Sequence, residues 1–165
     1  MNVFNSTPAR FAKTALVAGL FSMFAVTTAQ AGECPADKVA ANPLANAPTA
    51  PAGVSEMEIA SIDLAKENVH LDGRRLRFRQ MEIQPGGIVP LHDHADRPAL
   101  IMVVQGEIYE NSSKCAVPIF HKAGQVSREY LGTKHWWKNE GKVTVKLTIA
   151  DIVNDGKPET MAKMM

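Results

Sequence analysis

The sequence lacks a marked net charge, because its 165 residues carry 18 Lys and Arg against 17 Asp and Glu. Proteins that bind nucleic acid or an anionic membrane surface concentrate basic residues on one face or segment. The near balance of charge therefore argues against both kinds of partner. The chain also lacks an internal repeat, and its length predicts a single domain.

Acidic residues are absent from residues 1–31, which carry Arg10 and Lys13 and then run mostly apolar over residues 15–26. The segment ends in Ala-Gln-Ala at Ala31, a small-residue cleavage site, so it has the parts of a secretory signal peptide. The apolar run is shorter than the ~20 residues that a membrane-spanning helix needs. We expect cleavage after Ala31 and a periplasmic or secreted product without a membrane anchor.

Cysteines are few, since the sequence contains only Cys34 and Cys115. Paired thiols oxidise outside the cytoplasm, so a disulfide between these two is the expected state. Two thiolate metal ligands are the weaker alternative, because neither cysteine belongs to a pair with ligand spacing. Residues 32–54 are rich in alanine and proline, a composition typical of a flexible arm.

Long helical patterns are missing as well. Short apolar segments separated by glycine turns predict an all-β barrel domain over residues 55–153, followed by a loose tail at residues 154–165. The clearest strand alternates apolar and polar side chains from Val143 to Ala150. Residues 99–104 are continuously apolar, which predicts a strand buried on both faces.

The apolar residues of segment 74–83 change parity between Phe78 and Met81. This change predicts a β-bulge near Arg79 that would restore one buried face. The basic residues of the segment are then expected mostly to face solvent, and a substrate-binding arginine among them is the alternative. These residues are Arg75, Arg77 and Arg79.

Two groups of glycines and histidines have a distinctive spacing. In the first, Gly86 is followed by five residues, His92, one residue and His94, and Gly106 closes the next strand. In the second, whose histidine comes forty-one residues after His94, Gly124 is followed by five residues, Tyr130, one residue, Gly132, two residues, His135, three residues and Asn139.

Together these groups resemble the two motifs of the cupin superfamily, in the form found in small single-domain bacterial cupins. The resemblance implies an antiparallel double-sheet jelly-roll barrel that holds a metal ion inside. Strand alternation alone places His92 and His94 on one face, about 7 Å apart. Only the resemblance brings His135 to them. The implied cofactor is one divalent transition metal ion, with iron, zinc and manganese as the candidates.

The position at which cupins usually carry a ligand glutamate is occupied by Ala99. We therefore predict an open site with three histidine ligands, and Asp96 as a fourth ligand is the alternative. Neutral ligands leave the charge of the metal ion uncompensated, which favours a small anionic substrate. Arg97, beside the first motif, acts in the same direction.

The substrate pocket is predicted from strand parity, because Trp137 faces inward whenever His135 does. Its candidate residues are Arg97, Ala99, Ile101, Val103, Tyr130 and Trp137. No catalytic residue is assigned, and the acid–base candidates are close only in sequence: Glu107, Tyr109, Glu129 and Tyr130. The remaining histidines, His70 and His121, fit neither motif and are predicted as surface or turn residues.

Three functions are compatible with these residues. The first is a metal-dependent enzyme of the dioxygenase or the lyase and isomerase type. The second is a non-catalytic protein that binds a metal ion or a small ligand at a degenerate cupin site. The third is a structural barrel without metal. Cupins often pair through exposed sheet edges, so the resemblance also makes a homodimer a candidate assembly.

Overall fold

The structure is a computed structural model that describes residues 32–156. The predicted signal peptide and most of the predicted tail lie outside these residues. One 3₁₀ helix, Ala36–Lys38, precedes the strands. The strands are β1 Ala52–Asp63, β2 Arg74–Asp93, β3 Ala99–Gln105, β4 Glu107–Ser112, β5 Ile119–Lys122, β6 Val126–Glu129, β7 Lys134–Lys138 and β8 Val145–Asn154. Between residues 32 and 156, no helix is long and apolar enough to cross a membrane.

The strands form one antiparallel sheet in the order β5-β4-β7-β2-β8-β3-β6, with β1 paired to β2. This sheet curls into a nearly closed barrel, which confirms the predicted all-β architecture. Strand β2 is the longest, and it pairs with β8 over residues 74–83 and with β7 over residues 88–93. Strand β2 therefore connects the ladder with β8 to the ladder with β7.

Between these two ladders, the backbone of β2 requires glycine at position 87. A Cβ at this position would lie 2.7 Å from the carbonyl oxygen of Gln84 and 2.8 Å from the side chain of Ile83. Both contacts are shorter than atoms tolerate, so only a residue without a side chain fits. This close approach lies between the part of β2 that pairs with β8 and the part that pairs with β7 and carries His92.

The core lies inside the barrel, and β8 shows how it is built. Buried and half-buried side chains alternate along all of β8, so Val145, Leu147 and Ile149 face inward. The predicted alternation is thus confirmed from Val145 onward, whereas Val143 lies before the strand and is 55% exposed. The same parity continues past the apolar residues and brings the carboxylate of Asp151 into the interior, where it is 1% exposed.

Strand β2 differs from the prediction, because its arginines face inward. Arg77 and Arg79 are 6% and 3% exposed, whereas Leu76 and Phe78 face outward at 39% and 44%. No bulge interrupts the pairing of β2 with β8. The irregularity lies instead in β1, between Glu58 and Ala60. The prediction failed because the guanidinium groups of Arg77 and Arg79 pair in the interior with the carboxylate of Asp151 on β8.

Strand β3 is buried on one face only, contrary to the prediction. Ile101 and Val103 point into the core, whereas the alternate residues Leu100 and Met102 are 54% and 41% exposed. In the ladders, Ala150 of β8 pairs with both Leu100 and Phe78. The outer surface around Ala150 is therefore apolar, and we call the patch formed by Leu76, Phe78, Leu100, Met102 and Ala150 the outer apolar face.

The two cysteines form a disulfide that ties the amino-terminal arm to the barrel. Beyond this bond, Val39 forms an antiparallel bridge with Cys115, and the amide of Ala40 donates to the carbonyl of Lys114. Val39 and Ala40, which follow Cys34, thus lie against the loop that follows β4.

Candidate metal centre

The pairing of β2 with β7 brings the two motif segments together. His92 and His135 are direct partners in this ladder, after a register shift between Val89 and His92. The amide of His94, just past the end of β2, donates to the carbonyl of Thr133 at 2.9 Å. Backbone pairing therefore fixes all three histidines at one end of the barrel interior.

The three imidazoles converge through their Nε2 atoms. His135 Nε2 lies 3.0 Å from His92 Nε2 and 3.0 Å from His94 Nε2. The side chains are almost completely buried, with His135 at 0% and His92 at 7% exposure. These three residues form a group whose donor atoms are close enough to hold one metal ion.

The opposite nitrogen of each ring has its own acceptor. His92 Nδ1 lies 2.9 Å from the carbonyl oxygen of Pro90, and His94 Nδ1 lies 2.6 Å from that of Arg97. His135 Nδ1 lies 3.1 Å from Glu110 Oε1. Carbonyl and carboxylate oxygens only accept, so these contacts place a proton on Nδ1 and a lone pair on Nε2.

Three lone pairs that face one another at such distances repel unless a cation or a proton lies between them. The chemistry of the donor set fits a divalent transition metal ion, because neutral imidazoles are its common ligands. An outer hydrogen bond on each ring is also the usual arrangement for metal-binding histidines. The three histidines therefore fit a divalent transition metal ion.

One contact favours a different tautomer of His135. Trp137 Nε1 lies 3.1 Å from His135 Nδ1, and its N–H can donate there only when this nitrogen carries no proton. In that tautomer Nε2 holds the proton and donates to a neighbouring histidine. A metal ion at Nε2 requires the other tautomer, which the carboxylate of Glu110 stabilises.

Burial holds two of the histidines in the neutral form. Burial, and after it the charge of His135 and the guanidinium of Arg97, lowers the pKa of His94 to about 3. The pKa of His92 is also well below its ordinary value, chiefly through burial and then through His135. Both rings are therefore available as ligands at neutral pH.

Behind His135 lies a second buried polar group. Burial alone would raise the pKa of Glu110, but hydrogen bonds from His121 and His135 lower it to about 2. Burial raises the pKa of Glu129, against the opposing effect of the His135 charge. Ser127 Oγ lies 3.2 Å from Glu110 Oε2 and closer still to Glu129. Glu110 is thus the ionised carboxylate of the pair, and Glu129 is the one that holds a proton more readily.

His121 was predicted as a surface or turn residue, and this prediction is wrong. Its side chain is fully buried, stacks on Trp137 with a centroid distance of 4.7 Å, and lies 2.9 Å from Glu110 through Nε2. Sequence reasoning also missed Glu110. The available signal was parity, since Glu110 shares the inward parity of Ile108 on β4.

The predicted pocket residues occupy different places. Ala99, Ile101, Val103 and Trp137 face the interior, as their parity predicted, and Tyr130 is 48% exposed. Ala99 pairs with Glu129 across β3 and β6. Glu129 is therefore on the strand beside Ala99, the position at which cupins usually carry a ligand glutamate. Its carboxylate lies 3.4 Å from His135 Nδ1.

The alternative fourth ligand, Asp96, is engaged elsewhere. Its carboxylate forms an ion pair with Arg74 and accepts a hydrogen bond from Asn154 at 2.9 Å. It is absent from the groups of described residues that could hold a metal ion. The structure thus brings together the three histidines and leaves Asp96 outside them.

Arginines next to the triad converge on one carboxylate. Asp151 accepts from Arg77 at 2.8 and 3.0 Å and from Arg97 at 3.1 Å, and it lies 3.4 Å from Arg79. Arg79 also pairs with Glu56. Hydrogen bonds and charge from the arginines lower the pKa of Asp151, although burial opposes this effect. The interior beside the histidines is consequently rich in cationic groups.

Comparison with known proteins identifies the fold. No protein-family model matches the sequence, and no curated protein matches it. A predicted oxalate decarboxylase from Thermotoga maritima has a similar structure, with a TM-score of 0.51 and 21% identity over 73% of this chain and 98% of that one. The cupin fold implied by the sequence motifs is thereby confirmed.

Two further solved structures are similar at lower scores. The cupin domain of Cnp3 from Schizosaccharomyces pombe has a TM-score of 0.48 and 18% identity, over 64% of this chain and 67% of that one. KdgF from Halomonas sp. has a TM-score of 0.47 and 13% identity, over 60% and 80%. At these identities the likeness concerns the fold and not the reaction.

Proposed function

We propose that the chain is exported with cleavage after Ala31 and that the mature barrel binds one divalent transition metal ion through His92, His94 and His135. Iron, zinc and manganese are the candidates. The observation that carries this proposal is the convergence of three buried Nε2 atoms, each on a ring whose Nδ1 is held by an acceptor. Such outer contacts orient metal-binding imidazoles and fix their tautomer.

The proposed substrate is a small anionic molecule. Three neutral ligands leave the charge of a metal ion uncompensated, and Arg97 adds positive charge beside His94. Within residues 32–156, the Arg97 side chain has one hydrogen bond, from Nη1 to Asp151. Its other N–H groups remain as donors for a carboxylate.

We propose a metal-dependent enzyme of the dioxygenase or the lyase and isomerase type. When bound, the metal ion would supply Lewis acidity or redox chemistry to the substrate. The chain itself would orient the anion with Arg97, exclude water with the apolar wall of Ile101 and Val103, and hold the proton of His135 Nδ1 with Glu110.

A non-catalytic metal-binding or ligand-binding protein is the second candidate. One observation favours it: the buried carboxylates Glu110 and Glu129 approach His135 from its Nδ1 side. In that position they orient the ligand ring, whereas a general base would have to reach the substrate at the Nε2 side. This function predicts tight retention of a metal ion or anion without turnover.

One experiment separates these functions. The mature protein is loaded in turn with Fe²⁺, Zn²⁺ and Mn²⁺, and oxalate serves as a probe anion because it is a small metal-chelating dicarboxylate. An enzyme should consume a member of a small-carboxylate panel, and turnover should disappear in His135→Ala while the circular dichroism spectrum is unchanged. Saturable binding without turnover would support the second candidate, and absence of metal binding would overturn both.

The proposed assembly is a homodimer formed through the outer apolar face. Phe78, Ala150 and Leu100 lie side by side across three adjacent strands, and the two larger residues are exposed. Exposed apolar surface of this extent is typical of an interaction site. A second copy is the proposed occupant, because a two-fold axis pairs one surface with itself.

A further inference from the structure

Gly32, the residue that follows the predicted cleavage site, is buried against His121. A Cβ at Gly32 would lie 3.1 Å from His121 Nδ1 and 3.6 Å from the side chain of Gln125. A side chain at this position would need His121 to shift by a few tenths of an ångström, so the backbone of residue 32 lies directly against this ring.

The nitrogen that Gly32 approaches has no hydrogen-bond partner among the described residues. The other nitrogen of the same ring, His121 Nε2, lies 2.9 Å from Glu110 Oε2. A carboxylate only accepts, so Nε2 carries the proton and Nδ1 of the neutral ring is an acceptor. Because His121 is fully buried, water does not reach this acceptor easily, and a donor from the protein is expected.

The position of Gly32 is determined by the contacts that follow it. Cys34 is bonded to Cys115, and Glu33 forms an ion pair with Arg128. Gly32, Glu33 and Cys34 line a cavity of about 210 Å³ whose wall also includes Glu110. The disulfide therefore holds residue 32 at the buried polar group behind the histidine triad.

We propose that the α-ammonium group of the mature chain, created by cleavage before Gly32, donates a hydrogen bond to His121 Nδ1. The proposal rests on the proposed export and cleavage. An ammonium group can turn one of its three N–H bonds toward the acceptor, whereas the peptide N–H of a chain that keeps residue 31 has one fixed direction. The carboxylate of Glu110 offsets the charge that is brought into the interior.

The bond completes a chain of contacts that ends at the triad. The α-ammonium group binds His121, His121 binds Glu110, and Glu110 binds His135 Nδ1. Glu110 and its neighbours fix the proton and the orientation of His135, which sets how well Nε2 binds a metal ion. Removal of the signal peptide thus completes the support of the metal centre, and residue 32 is a positioning residue.

The first test measures the reactivity of the α-amino group toward an acylating reagent in the disulfide-bonded chain that begins at Gly32. A docked amine reacts only when the arm opens, so we expect acylation about tenfold or more slower than in the urea-unfolded protein. The exposed amine of Lys66 provides an internal reference for reagent activity. Acylation at the rate of an exposed amine would overturn the proposal.

Two variants show whether His121 holds the amine. His121→Ala should restore fast acylation, and His70→Ala, at an exposed histidine, should not. A chain that begins at Ala31 has an unchanged barrel sequence. Its result therefore does not depend on whether a substituted barrel still folds. Its amine should react at the exposed rate, and slow acylation of this chain would contradict docking at Gly32.

The second test measures Co²⁺ affinity by competition with a chelator. The chain that begins at Ala31 should bind Co²⁺ about tenfold more weakly than the chain that begins at Gly32, as expected when an outer contact is lost. Equal affinities would overturn the coupling to the metal centre. If neither chain binds Co²⁺, the proposed function fails, and amine reactivity still decides whether the amine is docked. The amino-terminal sequence of the exported protein separately tests cleavage.

Discussion

His135 Nδ1 lies 3.1 Å from Glu110 Oε1, and both side chains are buried. Because a carboxylate only accepts, this contact leaves the lone pair of His135 on Nε2, which faces His92 and His94. The ring could otherwise adopt the tautomer that accepts from Trp137. Glu110 therefore determines whether His135 is presented as a ligand.

Substitution of Glu110 should weaken metal binding without changing a ligand. Glu110→Gln keeps an acceptor oxygen but removes the charge, and we expect Zn²⁺ and Co²⁺ affinities to fall about tenfold or more. Chelator competition measures the effect. Glu107→Gln, at an exposed position of the same strand, is the control and should leave affinity unchanged. Equal affinity of Glu110→Gln and wild type would disprove the role of this contact.

The metal-free protein should lose stability in mild acid. The pKa of His94 falls from 6.5 in the unfolded chain to about 3, and that of His92 is also lowered. Below pH 6.5 the unfolded chain therefore binds protons that the folded protein excludes, so stability is full above this pH and declines beneath it. Each histidine contributes a slope of up to about 1.4 kcal/mol per pH unit.

Urea unfolding between pH 7 and pH 5 measures this slope in protein treated with a chelator. His94→Gln should reduce the slope by the contribution of one proton. Glu110 does not confound the measurement, because its lowered pKa affects stability only below its ordinary value of 4.5. Glu129, whose pKa is raised by burial, offsets part of the slope in both proteins, so the difference between wild type and His94→Gln is the test. Equal slopes in the two proteins would contradict a neutral His94 in the folded state.

Arg97 should contribute to anion binding rather than to metal binding. We expect Arg97→Gln to weaken oxalate binding to the metal-loaded protein by about tenfold, the loss typical of a charge-assisted hydrogen bond. Isothermal titration measures both affinities, and that for Zn²⁺ should change little. Arg75→Gln is the matched control, because Arg75 pairs with Glu58 and Asp155. Unchanged oxalate affinity in Arg97→Gln would exclude Arg97 from the anion site.

The disulfide should contribute measurably to stability. Loss of a bond that closes a long loop is expected to cost about 2–4 kcal/mol, and the cysteines here are 81 residues apart. Urea unfolding of wild type with and without reductant gives this difference. The Cys34→Ser/Cys115→Ser variant is the control, since reductant should not affect it. A reductant effect of equal size in both proteins would assign the loss to another cause.

The outer apolar face should control assembly. Phe78→Glu introduces a charge at the centre of this face and should convert the proposed dimer to a monomer, as measured by light scattering after size exclusion. Val39→Glu changes an apolar residue away from the face that is more exposed than Phe78, at 65% against 44%, and should leave the mass unchanged. A monomeric wild type, or a dimeric Phe78→Glu, would contradict this assembly.

The parts of the structure that follow local rules were predictable from the sequence. Alternation from Val145 to Ile149 identified the inward face of β8, and motif spacing identified the segments of His92 and His135. The interior arginines were not predictable, because local patterns favour burial of Phe78 over Arg79. Their burial depends on Asp151, which is distant in sequence and close only after the strands pair.

The same reason explains why His121 was assigned to the surface. Its partner Glu110 lies on the preceding strand, and its contact with Gly32 depends on the disulfide. Nothing in the local sequence indicates these relationships. Motif spacing therefore identifies the candidate metal ligands and strand parity places Glu110 inward, whereas its contact with His135 is visible only in the folded chain.

The metal content of the mature protein, purified without chelators from the compartment to which we propose that it is exported, tests the central claim most directly. We predict one iron, zinc or manganese ion per chain by elemental analysis, and less than about a tenth of that in His92→Ala and His135→Ala variants that remain folded. Protein that contains no metal and takes up none of these ions, or variants that keep the full amount, would contradict a three-histidine metal centre.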